Sequence, residues 1–215
     1  MTESVITLYR LEELAEVRLG LTMRRGLLAK HVVAQGPHHL RIRDLSEFGE
    51  IQIQSFEPLP ITSAIVRRHL VAPGDIVVAN RGNRLTSALV PQGLVAVASG
   101  QLIVVKILAD RVVKEYINWY INHEQTQHFL LSKCRGSQVK TLSVSVLKSR
   151  LRIPVPSMRT QKEIVELNRL RRRERALTSR LAVFRRLHIE TTLLNMVMHE
   201  CGEGANETIG VGRNL

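Results

Sequence analysis

The chain has 215 residues, 44% hydrophobic but only 4% aromatic, with 31 Lys+Arg against 19 Asp+Glu and a formal net charge of +12. That length supports one aliphatic core plus an appendage, and the scarcity of aromatic rings argues against base stacking as the main binding mode. There is no apolar run of about 18 residues to span a membrane, the acidic start is unlike a signal peptide, and Cys134 and Cys201 make no disulfide framework, so a cytoplasmic location is expected.

In chain order, residues 8–18 (LYRLEELAEVR) place Leu11, Leu14 and Ala15 at i, i+3, i+4, which predicts a short amphipathic helix before a turn at Gly20. The basic segment Met23–Gly26 follows. His39–Gln54 alternates apolar and polar residues around Gly49 and reads as two short strands. Residues 60–68 are mixed, and Pro73-Gly74 is a turn. Asp75–Asn80 is rich in β-branched residues and reads as a strand buried on both faces, with Arg81–Arg84 as the loop after it. Strands are expected at 85–90, 94–98 and 101–108.

Asp110 is a candidate N-cap for one helix over 111–132. A basic loop spans 133–143, a short helix covers 143–149, and Leu151–Val155 is a strand. Ser157 is placed to cap a final helix running to about residue 200 without Gly or Pro. Heptad spacing puts Leu167, Leu181 and His188 at one seam position and Leu170, Leu177, Phe184, Thr191 and Met198 at the other. Glu174 and Asn195 interrupt the seam, but it still wants a partner helix. The tail after Gly202 reads as disordered. The expected architecture is therefore α+β: a mixed β domain with flanking helices over 1–156, one long coiled-coil-like spacer helix over 157–200, and a tail over 201–215.

Positive charge is concentrated, with net +6 over residues 111–156 and another +6 over 157–190. Such a distribution favours a polyanionic partner held with steep salt dependence. Four segments then carry a resemblance. They are LEELAEVRLG (Leu11–Gly20), HLRIRDLSEFGEI (His39–Ile51, with Arg41 and the pair Asp44-Leu45 before Gly49), PGDIVVANRGN (Pro73–Asn83), and the run Gly136–Val165, which joins a Gly-Ser loop, an Ile-Pro-x-Pro strand and a Gln-x-x-Ile helix start. In this order they resemble one half of a DNA-specificity subunit of the type I restriction-modification enzymes.

The resemblance implies a non-catalytic subunit that reads double-stranded DNA and positions a methyltransferase subunit. That partner would carry the S-adenosylmethionine, and this chain would hold no cofactor. A restriction/translocase subunit is a further implied partner. The family's usual subunit has two recognition domains and two spacer helices, whereas this chain has one of each. Pairing with a second copy or with another half-subunit, and a two-part target site, are therefore expected.

Phosphate contacts are expected from the loop Lys133–Lys140: Lys133, Arg135 and Lys140 for charge, Gly136 for close approach, Ser137 and Gln138 as short donors. The alternative is a solvated basic loop. Base readout requires forked donors and amides, which makes Arg24, Arg25, Arg41, Arg43, Asn80, Arg81, Asn83 and Arg84 the candidates. The Arg169, Arg171, Arg172, Arg173, Arg175 cluster fits the DNA backbone, an acidic partner or a solvated face. Leu167, Leu170, Leu177, Leu181, Phe184 and Met198 are the expected partner-helix contacts.

No His/Cys set has zinc spacing, and there is neither a P-loop nor an Asn/Asp-Pro-Pro-aromatic methyltransferase signature. Two alternatives remain. One is a stand-alone DNA-binding regulator or defence sensor. The other is a divergent nuclease built on Asp75, although no Glu-x-Lys or Asp-x-Lys follows that residue.

Overall fold

The computed structural model describes residues 7–22, 36–46, 48–59, 68–136 and 139–207, with side chains described as far as residue 199. The chain divides into two compact units, Met1–Asn168 and Arg169–Leu215.

The first unit is an α+β domain. Its centre is a four-stranded antiparallel sheet in the order β2-β8-β5-β6, formed by Ala15–Leu19, Leu102–Ile107, Ile76–Ala79 and Ser87–Leu89. Residues alternate across each strand. Ile76, Val78, Ile103 and Val105 face three helices and meet Ile117, Ile121, Leu130 and Leu147. Val77, Leu102 and Val104 face the other way, onto Leu40, Val71, Ala96 and Ala98. This explains the continuous apolar run at Ile76–Ala79, because a strand covered on both faces has no solvent side.

The second layer is a three-stranded sheet, β3-β7-β4, of His38–Leu40, Ala96–Ala98 and Leu70–Val71. Within it β3 runs parallel to β7, and β4 runs antiparallel. A separate ribbon pairs β1 (Thr7–Arg10) with β9 (Arg152–Val155). The helices are α1 (Lys114–Asn122), α2 (Glu124–Ser132), α3 (Val144–Arg150) and α4 (Met158–Glu207).

The expected helix over 8–18 is instead strand, 3-10 turn and strand. Ala15, Val17 and Leu19 also alternate with Glu16 and Arg18, and β2 pairs with β8 from Ala15↔Ile107 to Leu19↔Ile103. Pairing with a buried neighbour outweighed a local helical spacing. The apolar pair Leu11 and Leu14 is still buried, at the turn rather than on a helix face. Of the two strands expected in His39–Gln54, β3 forms. The rest is a 3-10 turn at Ile42–Asp44 and a single bridge, Leu45↔Ile51. The mixed stretch expected at 60–68 lies almost wholly outside the described residues.

The helix expected over 111–132 is two helices broken at His123, whose backbone is extended (φ −65°, ψ 140°). Asn122 turns its side chain onto Ser87, accepting from the backbone N–H at 3.0 Å and donating to the carbonyl at 2.8 Å. Asp110 does not cap α1. The N-cap position is Val113, and its N–H donates 2.9 Å to the Oε1 of Gln161, far along the chain.

Ser157 does cap α4, accepting from the N–H of Thr160 at 3.2 Å. The helix then continues past the expected end at 200, to Glu207; residues 208–215 of the expected tail lie outside the described residues. The boundary between the units also falls later than 156. Gln161 is fully buried, with its amide donating to the carbonyls of Arg111 (3.0 Å) and Pro156 (2.9 Å), and Ile164 and Val165 pack on the domain core. The first turns of the helix thus belong to the domain.

In the second unit, Leu170, Leu177, Leu181, Phe184 and Met198 are at least half exposed, as is Leu167 just before it. Leu187, Ile189, Leu193, Leu194, Met196 and Val197 are similarly exposed, so apolar surface towards the C-terminus extends around the helix beyond one seam.

Candidate nucleic-acid interface

Two loops far apart in sequence are brought together by backbone pairing. Strand β5 ends at Ala79, and Asn80 follows. The Asn80 carbonyl accepts from the N–H of Leu142 at 2.8 Å. Arg81 bridges Thr141, and Thr141 exchanges two backbone bonds with Arg135, at 2.8 and 3.0 Å. Gly82 donates to the carbonyl of Lys140 at 3.4 Å. The Arg81–Arg84 loop and the basic Gly-Ser loop therefore form one rim.

On this rim Arg81, Asn83, Arg84, Arg135 and Lys140 are all exposed. Gly136 has φ +108°, and a Cβ there would sit 2.4 Å from the carbonyl oxygen of Val139. The glycine is required by the loop's own tight return, so its sequence role as a point of approach for a ligand is not needed to explain it. Arg24, Arg25, Ser137 and Gln138 lie outside the described residues.

The rim borders a cleft of about 740 Å³ whose lining includes Leu19, Leu21, His39, Ser99 and Leu142. Asn80 is buried rather than displayed. Its N–H donates to Gln101 and its Nδ2 donates 3.2 Å to the carbonyl of Gly100.

Arg41 and Arg43 are not open forks. Both guanidinium groups sit on Glu57, Arg41 at 2.7 Å. The hydrogen bond from Arg43 holds the Glu57 carboxyl below its usual range, and Glu57 in turn raises Arg43. The adjacent histidines diverge, as their alternation on a strand requires. His38 is bonded to the buried Asp44 at 3.2 Å, while His39 lines the cleft.

Lys133 faces elsewhere. It stands over the ring of Phe129, 5.6 Å from its centroid, and lines a second cavity of about 660 Å³ together with Arg10, Arg150 and Arg152. Sequence reading missed these three arginines. They lie on β1, the end of α3 and the start of β9, and only the β1–β9 pairing, with Arg10 opposite Arg152, brings them together.

Asp75 is buried at the turn before β5, where its Oδ2 accepts from the N–H of Ala72 at 2.9 Å. It serves as a turn cap. Among the described residues, no three His, Cys, Asp or Glu side chains cluster as a metal site would need. No helix among them is long and apolar enough to cross a membrane.

No protein-family model matches the chain, and no curated protein matches it in sequence. Solved structures do match. A chain from a study of complex assembly and conformational transition in the type I R-M system aligns with TM-score 0.61 at 15% identity, over 84% of this chain and 41% of that one. The HsdS subunit from Thermoanaerobacter tengcongensis aligns at 0.54 and 13%, over 84% and 40%. A type I restriction-modification S subunit from M. genitalium aligns at 0.52 and 12%, over 78% and 39%.

The chain has the fold of a type I specificity subunit. It spans about two fifths of the length of the S-subunit chains it matches.

Proposed function

We propose that this chain is a non-catalytic DNA sequence-recognition subunit of a type I restriction-modification system. The observation that carries this reading is the joined rim, where Arg81 and Arg135 both pair with Thr141 and Gly82 pairs with Lys140, and where Arg81 and Thr141 line one cleft. Exposed arginines, an asparagine and a lysine there supply the phosphate-neutralising charge and forked donors that duplex reading requires. The second basic pocket, with Arg10, Lys133, Arg150 and Arg152, adds a further set of cations suited to phosphate.

In this reading the long helix recruits other subunits. Its exposed seam takes a second copy of the chain, which sets two readers on a two-part site. The apolar surface beyond the seam takes helices of a methyltransferase subunit, because a helix apolar around most of its circumference belongs inside a larger bundle. The S-adenosylmethionine and the chemistry reside on that subunit, and a restriction/translocase subunit completes the system.

The test is genome-wide mapping of methylated adenines in the host with and without this gene, together with co-purification of the methyltransferase. Loss of one methylated motif on deletion is expected. An unchanged methylation map, with no methyltransferase retained, would replace this reading by that of a stand-alone DNA-binding regulator.

A further inference from the structure

Arg41 and Arg43 are two forked cations turned onto one carboxylate. Arg41 Nη2 meets Glu57 Oε2 at 2.7 Å, and Arg43 Nη2 is bonded to Glu57 Oε1. Arg41 Nε also donates to His39 Nδ1 at 3.3 Å, so one two-donor edge of its fork is already taken. The group is nevertheless open to a ligand. The side chains of Arg41, Arg43 and Glu57 are 42%, 52% and 33% exposed. Arg41 lines the same cleft as Arg81 and Thr141 of the rim.

An exposed ion pair is ordinarily a weak contact. This carboxylate, however, is fixed through its backbone. The Glu57 N–H donates to His38 Nδ1 at 3.1 Å, and its carbonyl accepts from the N–H of His39 at 2.9 Å. His38 is fully buried, with Nε2 3.2 Å from Asp44 Oδ2. Because Nδ1 accepts, the neutral ring carries its proton on Nε2 and donates it to Asp44. The same Asp44 oxygen accepts from the N–H of Arg41 at 2.7 Å. Phe56 packs its ring on His38, with centroids 5.3 Å apart. The backbones of Arg41 and Glu57 are therefore tied to one buried pair, His38 and Asp44, and the carboxylate stays where both arginines reach it.

The charge balance gives this arrangement a consequence. Two guanidinium groups on one carboxylate leave a single net positive charge. Phosphate contacts carry no sequence information, so each arginine open to them strengthens binding to every sequence alike. A carboxylate fixed between the two does the reverse, since it occupies their donors and repels the strand. The hydrogen bond from Arg43 holds the Glu57 carboxyl below its usual range, so it is ionised at neutral pH. We propose that Glu57 is a specificity-determining residue, an internal stand-in for phosphate that withholds Arg41 and Arg43 from the backbone of non-target DNA. The proposal rests on the DNA-reading function for its duplex, whereas the withholding itself acts on any polyanion.

The experiment measures the affinity of the full chain for a duplex of random sequence, by anisotropy at several salt concentrations. Glu57→Gln keeps the shape and removes the charge. It should steepen the slope of log affinity against log salt by about 0.9 for each arginine released to a phosphate, a gain of roughly eightfold per contact between 1 M and 0.1 M salt. Adding Arg41→Gln and Arg43→Gln to that variant should cancel the gain. A gain that persists without the arginines comes from the lost charge alone and overturns the proposal.

A second variant does not depend on how Glu57→Gln folds. Arg41→Gln with Arg43→Gln in the otherwise wild-type chain should leave the random-duplex slope nearly unchanged, because neither arginine reaches a phosphate there. A fall of about two units would show that both already do, and the proposal fails.

A short heparin oligosaccharide, a polyanion without bases, separates this inference from the DNA-reading function. Tighter heparin binding by Glu57→Gln in a chain that binds no duplex keeps the withholding of cations and removes the DNA-reading function. Duplex binding by the wild type, with neither probe affected by Glu57→Gln, leaves DNA reading in place and ends the proposal.

Discussion

The amide of Leu142 donates to the carbonyl of Asn80 at 2.8 Å. This one bond fastens the segment after the Gly-Ser loop to the end of the central strand β5, which is buried along its whole length. Residues that would touch a duplex are thereby held by the core rather than carried on loose loops.

The first prediction concerns that rim. Arg135→Ala with Lys140→Ala should weaken binding to all duplex sequences by similar factors and lower the slope of log affinity against log salt by roughly 2, about one unit per lost phosphate contact. Anisotropy titrations at several salt concentrations measure it. An unchanged slope would remove the rim from the interface.

Gln161 supplies the second. Its side chain caps α1 at Val113 and binds the carbonyls of Arg111 and Pro156. Gln161→Ala would leave the Val113 N–H and two carbonyls without that partner, and should cost on the order of 1–3 kcal/mol. Urea denaturation provides the reading. Gln161→Glu keeps the acceptor for Val113 but loses the donor, and should also destabilise the domain.

The third is a pH dependence. Burial pushes His39 below its ordinary value of 6.5, and Arg41 adds to this. Burial does the same to His69, beside Arg18. As pH falls below about 6.5, the unfolded chain takes up protons that the folded chain resists. Their contribution to stability is therefore complete above 6.5 and is lost as pH drops towards the lowered values. Denaturation midpoints should fall between pH 7 and 5, and His39→Gln should flatten part of that slope. A flat wild-type profile would contradict it.

The fourth addresses the long helix. Replacing Leu177, Leu181 and Phe184 with Ser, Gln and Gln should leave the fold of the first unit intact by circular dichroism while lowering the mass seen by light scattering. It should also abolish retention of the methyltransferase. An unchanged mass would count against a self-pairing seam.

Much of the sheet was legible because its signals are local. Ile76–Ala79 and Leu102–Ile107 are β-branched runs with turns on both sides, and nothing else in the chain competes for them. The start was misread because Leu11, Leu14 and Ala15 satisfy a helical period while Ala15, Val17 and Leu19 satisfy a strand period. The partner that decides, β8, lies far along the chain. The break at His123 depends on Asn122 reaching Ser87, and the cap of α1 on Gln161. Both are contacts between distant positions that no window of sequence displays.

The candidate site was legible as two basic loops, but not as one rim. Arg41 and Arg43 looked like open forks because Glu57, which holds both, is separated from them by a turn and a bridge. Arg10, Arg150 and Arg152 were overlooked for the opposite reason. Each is unremarkable where it stands in the chain, and only strand pairing makes them a group.

One short strand has a consequence of its own. β3 offers His38 to Asp44 and His39 to the cleft, in register with Ala96 and Val97. A shift of a single residue against β7 would exchange the two imidazoles, since every side chain changes face. Leu40, fully buried in the same strand, would leave the core with that shift, so the packing that holds Leu40 also holds each imidazole in its place. Errors at Ala96–Ala98 should therefore cost stability at the same time as they displace His39 from the cleft.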